Sequence, residues 1–271
     1  MRSLIYMLFC LLSISPLMAE ERPLLILSHD RPPFHFKNNT GAVVGICVDI
    51  ADTIFREMGI KYKIIDMNWA RVWKKIETGK GEAAFSASRK KPREPYLFYP
   101  STDMWRSEFV FFVHEANKHV APNGTYKEVS DSGGKIGLWK GASYNQTLWK
   151  HFPFKDGSTS YSPNKINKEI YNEQFFIVSS PLQAFRMVEK QRITFTLEDK
   201  SVGLYLIKQN DITEKVIPYN QPVFSKGYPM PFIKNSNYPN LEELAIEFET
   251  RLIAMKKDGR YQAIFERWLK P

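Results

Sequence analysis

A guanidinium, several hydroxyls and a carboxylate stand directly after segments that the sequence pattern predicts to be buried strands or helix starts. These side chains are Ser86, Ser88, Arg93, Ser143 and Asp199. Arginine can hold a carboxylate through two parallel charge-assisted hydrogen bonds, and free N–H groups at a helix start attract the same anion. A carboxylate can neutralise a cationic group. The set therefore suits a zwitterionic ligand, although serine-rich loops and a Pro-Arg after a strand are also common on surfaces that bind nothing.

Other catalytic and metal-binding patterns are weak. The five histidines include no pair at i and i+4 with a glutamate between them. His29 and His35 could ligate a metal, but a loop role is the simpler interpretation. Cys47 stands among apolar positions of a predicted helix, so we interpret it as a small buried hydrophobic residue rather than a nucleophile. The sequence has no Gly-x-Ser-x-Gly motif and no phosphate-binding glycine loop. No cofactor and no metal are expected.

Composition sets the broad class of the protein. The chain has 271 residues, of which 43% are hydrophobic and 25% charged, so it is globular and long enough for one large domain or two lobes. Its two cysteines exclude a disulfide-stapled scaffold. The net charge of +9 comes without a cluster of five or more basic residues, and the aromatic residues are not interleaved with a basic lattice. Nucleic acid is therefore not an expected partner.

Residues 1–19 are typical of a secretory signal peptide. Arg2 precedes an apolar run over 4–12, and cleavage is expected after Ala19. A membrane anchor is the alternative, but the run is about half of the roughly 20 residues that a spanning helix needs. The mature chain is therefore expected to be exported and soluble.

The apolar patterns of the remaining chain predict an α/β fold. In its first part, strands are predicted over 24–27, 61–67 and 83–85, and helices over 46–58 and 69–78. Strands that alternate with helices at these spacings favour a mostly parallel sheet with helices on its faces. Ligands bind such sheets outside the carboxyl ends of the strands, where the polar side chains named above would gather.

A second α/β unit follows the first, and two helices close the chain. The predicted elements of this part are strands over 135–138 and 193–197 and helices over 143–152, 182–189 and 199–208. Asn240 is expected to cap a long helix that stops at Asp258-Gly259. A shorter helix is predicted over 261–269.

Several motifs, in order along nearly the whole mature chain, resemble the periplasmic solute-binding proteins that serve polar amino-acid ABC transporters, bacterial family 3. No single motif is specific to this family, but the occurrence of all of them in the same order is a strong signal. They are Pro32-Pro33-Phe34 with Gly45-Ile46-Cys47-Val48-Asp49-Ile50, Trp69-Ala70-Arg71 with Glu77-Thr78-Gly79-Lys80, Ser86 to Arg93, Lys140-Gly141-Ala142-Ser143, Gln191-Arg192-Ile193 with Asp199, and Lys257-Asp258-Gly259-Arg260-Tyr261 with Trp268.

The resemblance implies a two-lobed α/β fold of the type II periplasmic-binding-protein class, in which each lobe is a mostly parallel sheet flanked by helices. Lobe one would comprise 22–108 plus 231–271 and lobe two 109–230, linked by two hinge crossings. The first crossing would be an extended strand at 109–112 and the return would be at 230–233. A ligand bound between the lobes would favour their closure.

The resemblance also implies a role for each candidate site residue. Arg93 would hold the α-carboxylate of the ligand, helped by Ser88 and Ser86. Ser143 and its N–H would meet the same carboxylate from the second lobe. Asp199 would take the ligand ammonium.

The candidate site departs from the family pattern. Arg31 stands where the family usually has an aromatic residue that stacks on the ligand side chain. If Arg31 faces the pocket, it disfavours a cationic ligand and suits a second carboxylate; otherwise it points to solvent. Trp69 could replace the missing aromatic residue or belong to the core.

The partners implied are a small amino acid or related carboxylate and an ABC permease in the inner membrane, with the protein acting as a periplasmic monomer. Two alternatives stay open. One is an exported dehydratase-like enzyme that acts on a cyclic carboxylic acid, with Glu198 or Asp199 as its acid. The other is a ligand-sensing subunit of a signalling partner.

Overall fold

The structure is a computed structural model that describes residues 22–139, 144–159, 171–212 and 215–270. The expected signal peptide at 1–19 lies outside these residues. None of the helices in the described ranges has the length and apolar character needed to cross a bilayer.

The strands of the described residues are mostly short. In chain order they are β1 (Leu24–Ser28), β2 (Phe36–Lys37), β3 (Val43–Val44), β4 (Tyr62–Asp66), β5 (Ala83–Ala84), β6 (Leu97–Phe98), β7 (Trp105–His114), β8 (Ile136–Trp139), β9 (Phe175–Val178), β10 (Phe195–Asp199), β11 (Val216–Pro218), β12 (Phe224–Tyr228) and β13 (Phe232–Ile233).

The α-helices follow most of these strands. They are α1 (Ile46–Glu57), α2 (Trp69–Glu77), α3 (Tyr126–Asp131), α4 (Gln146–His151), α5 (Pro181–Glu189), α6 (Lys200–Gln209), α7 (Leu241–Lys257) and α8 (Arg260–Leu269). Short 3₁₀ helices cover Lys91–Arg93 and Glu115–Val120.

Two main sheets are formed, and each is mixed. The first has the order β4-β1-β5-β13-β6, in which β1 runs parallel to β4 and β5 while β13 runs antiparallel to β5 and β6. The second has the order β11-β7-β10-β8-β9, with β8 parallel to β9 and β10. In that sheet β7 runs antiparallel to β10, β11 and β12. The expected parallel pairing is thus confined to three strands in each sheet, because the strands at the crossings run against them.

The apolar pattern accounts for the first unit. The buried residues of α1 include Ile46, Ile50 and Ile54, which recur every four residues and face the first sheet's core. Gly59, whose φ is +69°, follows the end of α1 and permits the left-handed turn that the chain takes there. The predicted helix over 46–58 is therefore confirmed to within one residue.

The start of α7 is where local sequence logic is wrong. Asn240 was expected to cap this helix with its side chain, but its φ of +51° places it in the left-handed region and its side chain makes no capping hydrogen bond. Asparagine tolerates that conformation better than most residues. Asn240 therefore turns the chain into α7 rather than satisfying its free N–H groups.

Two chain segments connect the sheets. Trp105 opens β7, whose backbone pairs in the second sheet, yet its side chain is buried in the core of the first sheet. Tyr228 is its ladder partner at the end of β12, and the chain then passes through Met230 into β13 of the first sheet. The aromatic rings of Trp105 and Tyr228 stack with centroids 4.1 Å apart, so the two crossings are packed together.

Candidate functional site

The loop after β5 folds back on itself and brings Arg93 to Ser88. The backbone N–H of Ser88 donates to the carbonyl of Ser86, and Pro92 lies in the short 3₁₀ helix that ends at Arg93. Nη1 of Arg93 donates to the carbonyl oxygen of Ser88 at 3.0 Å and to its hydroxyl at 3.3 Å. Because Ser88 is buried, these two hydrogen bonds hold the guanidinium of Arg93 in a fixed orientation.

Two tryptophans of α2 flank the same guanidinium. Its central carbon lies 5.0 Å from the ring centroid of Trp69 and 5.5 Å from that of Trp73. The N-terminus of α2 is fixed because the Asn68 side chain accepts the backbone N–H of Arg71. Trp69 is half-buried, and its ring is thus available both to stack on Arg93 and to line the space beside it.

A buried histidine holds Ser86. Nε2 of His35 lies 2.6 Å from Oγ of Ser86, and Nδ1 lies 2.6 Å from the carbonyl oxygen of His29. Burial, with the neighbouring His29, lowers the pKa of His35 to about 3, so the imidazole is neutral. His35 was flagged from the sequence only as a weak metal candidate in a loop. The described residues include no group of three or more side chains that could hold a metal ion. The His35 ring contacts Ser86 instead.

His29 lines the same region beside Trp69. Its ring lies 5.1 Å from that of Trp69 and 5.0 Å from that of His35, both edge to face. Its Nδ1 is buried and has no hydrogen-bond partner among the described residues. An unpaired buried nitrogen of this kind is costly unless a ligand or water meets it.

Arg31 packs against the aromatic pair at the crossings. Its guanidinium carbon lies 5.1 Å from the ring centroid of Trp105 and 5.4 Å from that of Tyr228. The side chain is half-buried, and its Nε has no hydrogen-bond partner among the described residues. Arg31 is therefore not freely solvated, which argues against the alternative that its side chain points to solvent.

Asp199 ends β10 and caps α6. Its Oδ1 accepts the backbone N–H groups of Ser201 and Val202, at 2.9 and 3.1 Å, and its Oδ2 accepts the hydroxyl of Ser107. The residue is only 1% exposed, and burial raises its pKa even though these donors and Arg31 oppose the rise. Both oxygens are thus engaged before any ligand arrives, and the expected contact of Asp199 with a ligand ammonium stays a prediction.

Glu198 lies next to Asp199 and is less well solvated than an ordinary glutamate. Its Oε1 accepts the backbone N–H of Asp199 at 2.9 Å. Burial, strengthened by the charge of Asp199, raises the pKa of Glu198 to about 7, while Arg31 acts in the opposite direction. The charge of Arg31 thus opposes the effect of burial on the pKa of both Glu198 and Asp199.

Lys226 is a candidate site residue that sequence reasoning missed. It lies on β12 with its Nζ 5.3 Å from the ring centroid of Tyr228. Burial lowers its pKa, and so do the charges of Lys90, Arg93 and Arg31. The guanidinium of Arg31 lies near the ring of the same tyrosine. The strand of Lys226 carries no motif and little apolar alternation, so no local signal marked this residue.

The expected site residues therefore fall into two groups. Arg93, Ser88, Ser86 and Trp69 form one connected cluster on the loops of the first sheet. Arg31 packs on the aromatic rings of the crossings, and its charge opposes the rise in pKa that burial causes in Asp199, which ends β10 of the second sheet. Ser143 lies outside the described residues. The cationic and aromatic side chains of the first group are suited to holding a small anion.

Comparisons with known proteins bear on the family and the fold of the chain. The family model of the bacterial extracellular solute-binding proteins, family 3, matches residues 25–271. The L-cystine-binding protein TcyJ of Escherichia coli strain K12 is 23% identical over 249 residues, which are 88% of this chain and 78% of that protein.

Solved structures show the same architecture. The second substrate-binding domain of GlnP from Lactococcus lactis, in its open conformation, is 18% identical with a TM-score of 0.71, and the match covers 93% of this chain and 97% of that one. The L-cystine solute receptor of Neisseria gonorrhoeae, in its unliganded open conformation, is 16% identical with a TM-score of 0.68, over 91% and 92% of the two chains. The predicted two-lobed, type II periplasmic-binding-protein fold is thereby confirmed.

Proposed function

The chain belongs to the bacterial extracellular solute-binding proteins, family 3, and on that premise we propose that it captures a small amino-acid-like solute between two closing lobes for delivery to an ABC permease. The relatives named above bind cystine or serve as substrate-binding domains, which favours a binding role over the enzyme and sensor alternatives. We assign the mature protein to the periplasm as a monomer, exported through residues 1–19.

The geometry of Arg93 is the observation that carries this proposal. Its guanidinium is oriented by Ser88 and flanked by two tryptophan rings, and among the described residues it forms no ion pair with an acid. A charged donor held in place without a counterion is prepared for a carboxylate from a ligand. Each charge-assisted hydrogen bond contributes about 1.5–3 kcal/mol.

The division into two lobes supports a closing mechanism. We take lobe one as 22–108 plus 231–271 and lobe two as 109–230, which assigns one main sheet to each lobe except for the first residues of β7. The two crossings then pass through β7 and through the segment between β12 and β13. A ligand that contacts Arg93 on lobe one and reaches lobe two binds the closed form better, and this differential affinity drives closure.

A binding screen with the Arg93→Ala variant tests the proposal. The mature protein is screened by thermal shift against amino acids, including L-cystine, and every ligand found is titrated by calorimetry. We expect Arg93→Ala to weaken binding at least about a hundredfold, the loss of two charge-assisted bonds. Arg71→Ala removes an exposed arginine from α2 and serves as the matched control. Unchanged affinity in Arg93→Ala would contradict the proposal.

A further inference from the structure

Four cationic side chains lie within electrostatic range of one another near the proposed cleft between the lobes. Burial lowers the pKa of Lys226, and the charges of Lys90, Arg93 and Arg31 lower it further. Within the described ranges, none of the four forms an ion pair with a carboxylate. Like charges at short range repel one another, and together they favour an anion beside them. A bound anion would relieve that repulsion.

Two of these cations share one aromatic ring, apart from the Arg93 cluster. The guanidinium carbon of Arg31 lies 5.4 Å and the Nζ of Lys226 lies 5.3 Å from the centroid of Tyr228. Both side chains are half-buried. The ring is held in place by stacking on Trp105, so the two cations converge on a rigid platform that belongs to the crossings. Arg31 keeps a buried Nε that no described residue accepts.

The two acids at the end of β10 are held by other donors and form no ion pair with these two cations. Asp199 already accepts three hydrogen bonds, from Ser107, Ser201 and Val202, and it is 1% exposed. Glu198 is held by the backbone N–H of Asp199. Among the described residues no carboxylate forms an ion pair with Arg31 or Lys226, so the donors of both side chains remain available to an anionic group of a ligand.

We propose that Arg31 and Lys226 form a second anion subsite on the Tyr228 ring, so that the ligand carries two acidic groups. One group would bind Arg93, and the other would bind the Arg31–Lys226 pair. The ligand class is a small dicarboxylic acid, with or without an amino group. This inference rests on the proposed function and adds to it the charge of the ligand. Because Lys226 lies on β12 and Arg31 on the loop after β1, the second acidic group would also join the two sheets.

Ligands that differ by one charge at constant shape provide the test. The wild-type protein is titrated by calorimetry with L-glutamate, L-glutamine and glutarate, together with succinate and adipate to vary the spacing of the acids. We expect at least one diacid to bind ten times or more tighter than L-glutamine. In Lys226→Gln this preference should fall to about threefold or less, whereas Lys63→Gln, which removes an exposed charge from β4, should retain it.

The outcomes separate this inference from the proposed function. If L-glutamine or another neutral amino acid binds at the cleft and every diacid binds more weakly, the second subsite is wrong while the proposed function survives. A diacid preference that persists in Lys226→Gln also contradicts the subsite. If neither diacids nor amino acids bind the wild-type protein, both proposals fail. The ranking of ligands by the wild-type protein can still contradict the subsite if the variant does not fold.

Discussion

Nε2 of His35 accepts the hydroxyl hydrogen of Ser86 across 2.6 Å, and this hydrogen bond determines whether the Ser86 hydroxyl can donate to a ligand. The direction follows from the other ring nitrogen, because Nδ1 faces the carbonyl oxygen of His29 and only an N–H can be there. With a neutral ring, Nε2 is left as an acceptor. Ser86 therefore has no proton to donate to a ligand carboxylate, which favours a positioning role over the direct contact expected from the sequence.

Removing the Ser86 hydroxyl should affect folding more than binding. In Ser86→Ala the buried Nε2 of His35 loses its donor, so we expect the free energy of unfolding to fall by about 1–3 kcal/mol. Ligand affinity should change less than tenfold, in contrast to Arg93→Ala. Urea denaturation and calorimetry measure the two effects. A loss of binding as large as in Arg93→Ala, with stability unchanged, would show that Ser86 contacts the ligand.

The ring of Trp69 should support binding by holding the Arg93 guanidinium. Trp69→Phe keeps an aromatic face, and we expect its ligand affinity to stay within about threefold to fivefold of wild type. Trp69→Ala removes the face and should weaken binding tenfold or more. Arg71→Ala, at an exposed position of the same helix, is the control for changes to α2. Equal affinity in Trp69→Ala and wild type would assign Trp69 to the core alone.

Asp199 and Ser107 should be coupled in stability. Asp199→Ala removes the cap of α6 and the acceptor of the Ser107 hydroxyl, for an expected cost of about 1–3 kcal/mol. Ser107→Ala breaks the same hydrogen bond from the other side. We expect the double variant to be less destabilised than the sum of the single variants, by about 0.5 kcal/mol or more in urea denaturation. Strict additivity would mean that the bond contributes nothing.

Much of the fold could be predicted because its signals are local. The apolar run of β1 and the fourfold spacing of α1 each lie within a dozen residues, and Gly59 marks where α1 stops. The proximity of Ser88 and Arg93 could likewise be predicted, because the two residues are five positions apart in one loop and are joined by a hydrogen bond.

The remaining features depend on contacts that no local pattern encodes. His35 and Ser86 are 51 positions apart and meet only when β1 and β5 pair. Lys226 reaches the cleft because β12 pairs with β7, and its strand reads FSKGY, without apolar alternation. The antiparallel strands at the crossings were missed for the same reason. The alternation of strands and helices predicts parallel pairing. The antiparallel pairing of β7 in one sheet and of β13 in the other depends instead on how the chain crosses between the two sheets and comes back.

Glu198 should make the stability of the protein depend on pH. Its pKa is about 7 in the folded protein, above the ordinary value of 4.5, so between these values the folded state holds a proton that the unfolded state has lost. The stabilisation from this proton is therefore fully present below pH 4.5. As the pH rises toward 7, the free energy of unfolding falls by about 1.4 kcal/mol per pH unit, and by about 3 kcal/mol at most.

The Glu198→Gln variant isolates this effect, because glutamine resembles the neutral glutamic acid at every pH. We expect the stability of the variant relative to wild type to increase between pH 5 and 7 and to level off above that range. Urea denaturation at unit intervals of pH measures the difference, and other titrating groups cancel because both proteins contain them. Glu173→Gln, at an exposed position, should show no such trend. A constant difference between Glu198→Gln and wild type from pH 5 to 8 would mean that Glu198 is already ionised at pH 5, and that Arg31 outweighs its burial.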